Sequence, residues 1–132
     1  MNLFFKLNRE LAKRIKDYSD YRVSVEEIHH IKKLDAPSGT AITLADGIKA
    51  EHPGYDGWAP ENLSSENKIP VRSIREGSVP GTHIVTWDSS IDSISLKHEA
   101  RNRKGFAIGA VVAAEFISTR KGVFTMADVL GF

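Results

Sequence analysis

Apolar positions along the chain change their spacing several times, and each change marks an element. Over residues 2–17 they recur every four residues, as Leu3, Leu7, Leu11 and Ile15, with Phe4 and Ala12 widening the stripe. That spacing predicts an amphipathic helix with the leucine stripe toward the core. From 21 to 29 the period drops to two. Tyr21, Val23 and Val25 share one face of a predicted strand, and Glu27 and His29 continue that face. Helical spacing returns between about 38 and 50, at Ala41, Leu44, Ala45 and Ile48. Pro37 precedes this second helix, and Ser38 or Thr40 is positioned to cap it.

The stretch 52–68, "HPGYDGWAPENLSSENK", holds two prolines, two glycines and few aliphatic residues, and reads as a long loop. Three strands are predicted after it, at 69–75, 82–88 and 91–98. Pro70 suggests an edge position for the first of them. "GSVPG" (77–81) and Asp88-Ser89-Ser90 read as turns, so the expected arrangement is an antiparallel meander. A helix is predicted over 104–119, with Phe106, Ala110, Ala113, Ala114 and Ile117 on its buried face. "TMADVL" (125–130) reads as a short capped turn of helix. The sum is an α+β fold, a mixed or antiparallel sheet of about four strands with helices packed on one face.

Composition narrows the function classes. The 132 residues balance 18 Lys plus Arg against 17 Asp plus Glu, so the net charge is +1. No global field favours nucleic acid or an acidic membrane surface, and neither is expected as a partner. An anion has to be caught by a local cluster. With no cysteine, thiolate nucleophiles, disulfides and Cys-based zinc sites are excluded. The apolar runs are too short to span a bilayer, and the N-terminus lacks the pattern of a signal peptide. A helix that begins at the second residue suggests that something precedes it in a longer protein.

Chemistry concentrates in "EEIHHIKKLDAPSGTA", residues 26–41. Three readings of it stay open. Two adjacent histidines invite a metal, but on a strand they point to opposite faces and no second ligand has helical zinc spacing; no metal is expected. The stretch also reads as an ordinary strand-to-helix connection. The third reading is chemical. His29, His30, Lys32 and Lys33 lie just before a helix start containing Ser38, Gly39 and Thr40. Free N–H groups and the positive end of the helix dipole bind carboxylate or phosphate, while histidine and lysine move protons. No Walker pattern and no Gly-x-Gly-x-x-Gly turn after a strand occurs, so no dinucleotide site is visible in this chain.

These residues resemble a known family. Glu26, His29, His30, Lys33, Asp35 and the run Ala36-Pro37-Ser38-Gly39-Thr40-Ala41 are similar to the signature of 4-hydroxy-tetrahydrodipicolinate reductase, also called dihydrodipicolinate reductase. Arg75, Gly77, Gly81, His83 and Val85 are similar to a second family segment. His98, Ala100, Arg103, Phe106, Ala107, Gly109 and Ala110 are similar to a third. Trp87 and Ser78 depart from the common Phe and Asp. The resemblance covers nearly the whole chain, but the family begins with a Rossmann-type nucleotide-binding domain that is missing here.

The resemblance implies a substrate-binding and oligomerising domain over 1–102. It implies that 103–132 is a helix and tail packing toward the missing nucleotide domain. It implies NADH- or NADPH-dependent reduction of a small cyclic dicarboxylate in lysine biosynthesis, by a cytoplasmic homotetramer, with no cofactor bound to this chain itself. His29 matches the catalytic histidine, proposed as proton donor, and Lys33 the second proton donor. His30 and the backbone at Gly39 and Thr40 match carboxylate contacts, with Ser38 nearby. Arg103 and Phe106 are placed near the hinge facing the cofactor. The alternative is a non-catalytic domain that binds dicarboxylates and oligomerises. Within this stretch Asp35 is expected to fix the loop; outside it, His83 and His98 are expected to pack or hydrogen-bond, and His52 to lie in the loop.

Overall fold

The computed structural model describes residues 1–132 as one five-stranded mixed sheet with helices on one face. Chain order is α1 (Asn2–Ile15), β1 (Arg22–His29), α2 (Gly39–Glu51), β2 (Gly57–Pro60), a 3₁₀ turn (Glu61–Leu63), β3 (Lys68–Arg75), β4 (Thr82–Asp88), β5 (Ser93–Glu99), α3 (Lys104–Ile117) and α4 (Met126–Leu130). The predicted α+β class is the observed one.

Strand order corrects the predicted meander. It is β2-β3-β1-β4-β5, so β1 lies between β3 and β4, which the chain visits consecutively. β3 runs parallel to β1, with Val25 beside Val71, and β4 runs antiparallel, with Val25 beside Val85. The turn at 77–81 therefore passes over the end of β1 instead of closing a hairpin. A parallel partner needs a long crossover, and α2 with the following segment supplies it. The predicted loop holds a fifth strand, β2, which pairs parallel to β3 through Trp58 and Ile69. Pro70 accordingly sits inside the sheet beside Ala59, not at an edge. Within β2, Trp58 is the one large apolar residue, flanked by Gly57, Ala59 and Pro60, which gave too weak an alternation to mark that strand.

The core fills the space between the sheet and α1 and α2. Its members include Val23, Val25, Ile69, Val71, Val85 and Trp87 from the sheet, and Ala41, Leu44, Ala45 and Ile48 from α2. On α1 the buried positions are Phe4, Asn8, Ala12 and Ile15. The stripe is thus turned from the predicted one, and Leu3 and Leu7 are exposed. A buried polar residue explains the shift: Asn8 Nδ2 donates to the Leu44 carbonyl at 2.9 Å, locking α1 against α2. His52, expected in a loop, caps the C-terminus of α2 and stacks on Trp87 with ring centroids 5.4 Å apart. Tyr55 is buried beside it, and its hydroxyl accepts the Val23 N–H at 3.2 Å.

The predicted buried face of α3 is also corrected. No residue of α3 is buried, and Phe106, Ile108, Val111, Val112 and Ile117 are exposed. Its spacing is helical, but apart from Phe116, which packs on Phe124 at 5.5 Å, most of its apolar side is left uncovered. α4 forms as predicted, with a capping box between Thr125 and Asp128.

Two substitutions test this packing by urea denaturation. Leu44→Ala should cost about 2–5 kcal/mol, because it empties fully buried space under both helices. Tyr55→Phe should cost about 1–3 kcal/mol by stranding the Val23 N–H. A Tyr55→Phe chain as stable as wild type would show that this hydrogen bond does not support β1.

Candidate functional site

The inward face of β1 changes from apolar to charged along its length. Val23, Val25, Glu27 and His29 are all buried on that face. Glu27 is 0 % exposed. A charge removed from water must be paired and hydrogen-bonded within the protein. Arg75 meets this need with both ends of its fork: Nη2 donates to Oε1 at 2.8 Å and Nη1 to Oε2 at 3.1 Å. The Ser38 N–H donates to Oε1 at 3.2 Å, and His29 Nδ1 lies against Oε2. Burial alone would raise the Glu27 carboxyl, but hydrogen bonds, foremost those of Arg75, outweigh it and hold the group below the usual carboxylate range.

Strand register brings these groups together. Arg75 stands beside His29 in the parallel pair, and His83 stands opposite Glu27 in the antiparallel pair. The His29 and His83 rings meet edge to face at 5.0 Å. His83 Nε2 lies 3.1 Å from Ser38 Oγ, which accepts the Ala41 N–H at 3.2 Å as the cap of α2. Burial first, and then the neighbouring His29, pushes His83 down to about 4. Glu27, His29 and His83 offer ligand atoms within 4.8 Å of one another. Both Glu27 oxygens are already engaged by Arg75, whose guanidinium occupies the place of a cation, so the cluster is a hydrogen-bonded charge network.

After β1 the chain turns through Lys33, tied down by backbone bonds to the segment after β3. The His30 N–H donates to the Val79 carbonyl at 2.9 Å, and the Glu76 N–H donates to the His29 carbonyl at 2.8 Å. Lys33 Nζ donates to Asp35 Oδ1 at 2.7 Å and, as the leading cause, draws that carboxyl below its ordinary range. Arg75 Nη2 donates to the Asp35 carbonyl at 2.6 Å. One connected set of hydrogen bonds thus runs Lys33–Asp35–Arg75–Glu27–His29, with a branch through Glu27 to the start of α2.

At that start the N–H groups of Ser38 and Ala41 are used, while those of Gly39 and Thr40 have no protein partner. Space beside Gly39 is open. Two unpaired N–H groups at the positive end of a helix, beside Lys33 and Arg75, suit an anion.

Of the expected site residues, His29, Lys33 and Ser38 join the network, and Gly39 and Thr40 adjoin it. The His30 imidazole makes no hydrogen bond. Arg103 stands just before α3 without a side-chain capping bond, and Phe106 lines an open groove with Met1, His98 and Met126; neither bonds to the cluster. Asp35 fixes the loop as described. His98 packs its ring against Phe4 at 5.7 Å. Sequence reasoning passed over Glu27 and Arg75 as site residues. A legible signal for Glu27 existed: a carboxylate two positions before an inward histidine, on the same strand face, is inward too.

A family model described as dihydrodipicolinate reductase, C-terminus, matches residues 1–130. The 4-hydroxy-tetrahydrodipicolinate reductase of Christiangramia forsetii is 52% identical over 130 residues, covering 98% of this chain and 54% of that protein. The reductase of the same name from Methanosarcina barkeri is 40% identical over 134 residues, covering 99% of this chain and 50% of that one. This chain spans about half the length of the curated relatives it matches. A solved structure, the dipicolinate-bound dihydrodipicolinate reductase from Paenisporosarcina sp. TG-14, shares the fold with a TM-score of 0.64 at 24% identity, over 87% of this chain and 46% of that one.

The buried His83 makes stability depend on pH in a defined window. Its pKa falls from 6.5 unfolded to about 4 folded, so between these values the unfolded chain binds the extra proton. Its contribution is full above pH 6.5 and is lost as pH drops toward 4, by on the order of 3 kcal/mol. Urea titrations across that range should show the slope, reduced in His83→Gln. An unchanged slope in the variant would assign the acid sensitivity to other groups.

Proposed function

The chain belongs to the dihydrodipicolinate reductase family as its C-terminal part, and from that premise we propose that it supplies the substrate site of a 4-hydroxy-tetrahydrodipicolinate reductase. One observation carries the reading. A histidine and a lysine able to move protons share one hydrogen-bonded network with a helix start that has free N–H groups.

In this reading the substrate is a small cyclic dicarboxylate. One carboxylate meets the N–H groups of Gly39 and Thr40, with the Ser38 cap holding that turn. The other lies toward His30 and Lys33. His29 is the proton donor and Lys33 the second proton-bearing group; in an environment short of water such groups act without reorganising. NADH or NADPH supplies the hydride in the whole enzyme. The residues of this chain do not fit a dinucleotide, since no Gly-x-Gly-x-x-Gly turn leads from any of the five strands into a helix. The cofactor is therefore held outside these residues, and 103–132, with its uncovered apolar side, is the segment that faces that part of the enzyme. Arg103 and Phe106 belong to this junction.

Self-association into a homotetramer through the sheet fits the fold. Parallel pairs are usually covered on both faces, and here β1, β2 and β3 are parallel with helices on one face alone. No helix is long and apolar enough to cross a membrane. A cytoplasmic setting accords with the absence of cysteine.

Titration calorimetry with pyridine-2,6-dicarboxylate is the test. Binding is expected, weakening with salt and by roughly tenfold or more in Lys33→Ala, the loss of one charge-assisted contact. Equal affinity in wild type and variant would remove Lys33 from the site, and no binding would return the stretch to an ordinary strand-to-helix connection. In the enzyme completed by its nucleotide-binding part, His29→Gln should lower kcat by about 10²–10⁴-fold with the cofactor KM little changed. The 132-residue chain alone should not oxidise NADH. An unchanged kcat in His29→Gln would move the proton-donor role to another residue, and dicarboxylate binding with no activity in the completed enzyme would favour the domain that does no chemistry.

A further inference from the structure

Glu27 lies one step from the reacting groups, and its geometry bears on which atom of His29 exchanges protons. Glu27 Oε2 lies against His29 Nδ1, two residues along one strand face. Arg75 grips both carboxylate oxygens, and the Ser38 N–H takes the remaining approach to Oε1. So held, the carboxylate has no freedom to turn away from the ring. It is ionised, which makes it an acceptor only. The proton between the two groups therefore sits on Nδ1.

The other ring nitrogen faces a different surface. A Cβ placed on Gly81 would stand 3.0 Å from His29 Nε2 and 3.3 Å from its Cδ2. Glycine leaves the Nε2 side of the ring uncrowded, where any side chain would press on it. No hydrogen bond joins the His83 ring to that of His29; they meet edge to face, and His83 Nε2 is turned to Ser38 Oγ. One nitrogen of His29 is tied to a fixed carboxylate, and the other is kept clear.

We propose that Glu27, clamped by Arg75 and the Ser38 N–H, is a positioning residue that fixes His29 as the Nδ1–H tautomer and leaves Nε2 as the proton-exchanging atom. The proposal rests on the reading of His29 as the proton donor. When the imidazolium gives its proton, the N–H bond at Nε2 breaks. The proton passes to the acceptor atom of the substrate, the electron pair stays on Nε2, and the neutral ring keeps its Nδ1–H on Glu27. Because Arg75 also bonds the Asp35 carbonyl, and Asp35 holds Lys33, the same clamp sets the placing of both proton-bearing side chains.

The test is long-range ¹H–¹⁵N NMR on the chain with ¹⁵N-labelled histidine, at a pH where the ring is neutral, with His29 assigned by loss of its signals in His29→Gln. The expected spectrum has a protonated, pyrrole-like Nδ1 and a pyridine-like Nε2. In Glu27→Gln the population should move toward the Nε2–H tautomer. Glu27→Gln strips a charge from a buried pair and can unfold the chain, so the wild-type spectrum decides by itself. An Nε2–H tautomer, or an even mixture, in the wild type overturns the proposal. Pyridine-2,6-dicarboxylate added to the same sample separates the two readings. A dicarboxylate that binds beside an Nε2–H ring sinks the tautomer lock alone. A locked Nδ1–H ring in a chain that binds no dicarboxylate upholds the lock and sinks the substrate reading alone.

Discussion

A carboxylate without water has to find both its counter-charge and its hydrogen bonds inside the protein, and Glu27 sets that condition for the whole site. Its partners come from three places in the chain: His29 on the same strand, Ser38 at the start of α2, and Arg75 at the end of β3. Removing one partner would leave a buried charge short of compensation, which is far costlier than the pair is stabilising. The strand, the helix start and the crossover are thereby held in one mutual placement. That makes the network a device for geometry more than for stability.

The mixed sheet is what makes the meeting possible. In a parallel pair both strands end at the same edge, so His29 and Arg75 arrive side by side. In the neighbouring antiparallel pair the incoming strand begins at that edge, which brings His83 opposite Glu27 at the start of β4. The helix following β1 starts there as well and turns its positive end to the same edge. One edge of the sheet therefore collects two imidazoles, a guanidinium, an ammonium and two free N–H groups. Glu27 and Asp35 temper that charge, and their bonds direct it.

Much of this was legible in order along the chain, and little of it across the chain. Alternation at Val23, Val25, Glu27 and His29 identified the inward face of β1, and Ser38 was readable as a cap because it precedes a helical apolar run. The α+β class followed from the same patterns. The strand order was not readable, since local spacing says nothing about which strand lies next to which, and short turns such as 77–81 look alike whether they close a hairpin or cross a neighbour. α1 was turned from the expected stripe because Asn8, polar by type, finds a carbonyl across the helix pair. α3 has helical periodicity, with most of its apolar side left uncovered. Within the site, resemblance directed notice to Glu26, which lies on the outer side near Arg72. Its neighbour Glu27 carries the network: the alternation of β1 marked it as inward, but its partner Arg75 lies 48 residues away.

The central place of β1 also has a kinetic side. It is made before either of its sheet neighbours, which do not exist until residues 68–75 and 82–88 have followed. Until then its inward row of valines, glutamate and histidine has α1 and α2 for company and no ladder on either side. Contacts of such large sequence separation close late, because the loop entropy must be met before they give anything back. Val25 can pair with Val71 and Val85 only after most of the domain has been synthesised. The chemistry-bearing edge is then assembled in the same late step that zips the sheet. A chain that has collapsed without that step has its helices and lacks its site.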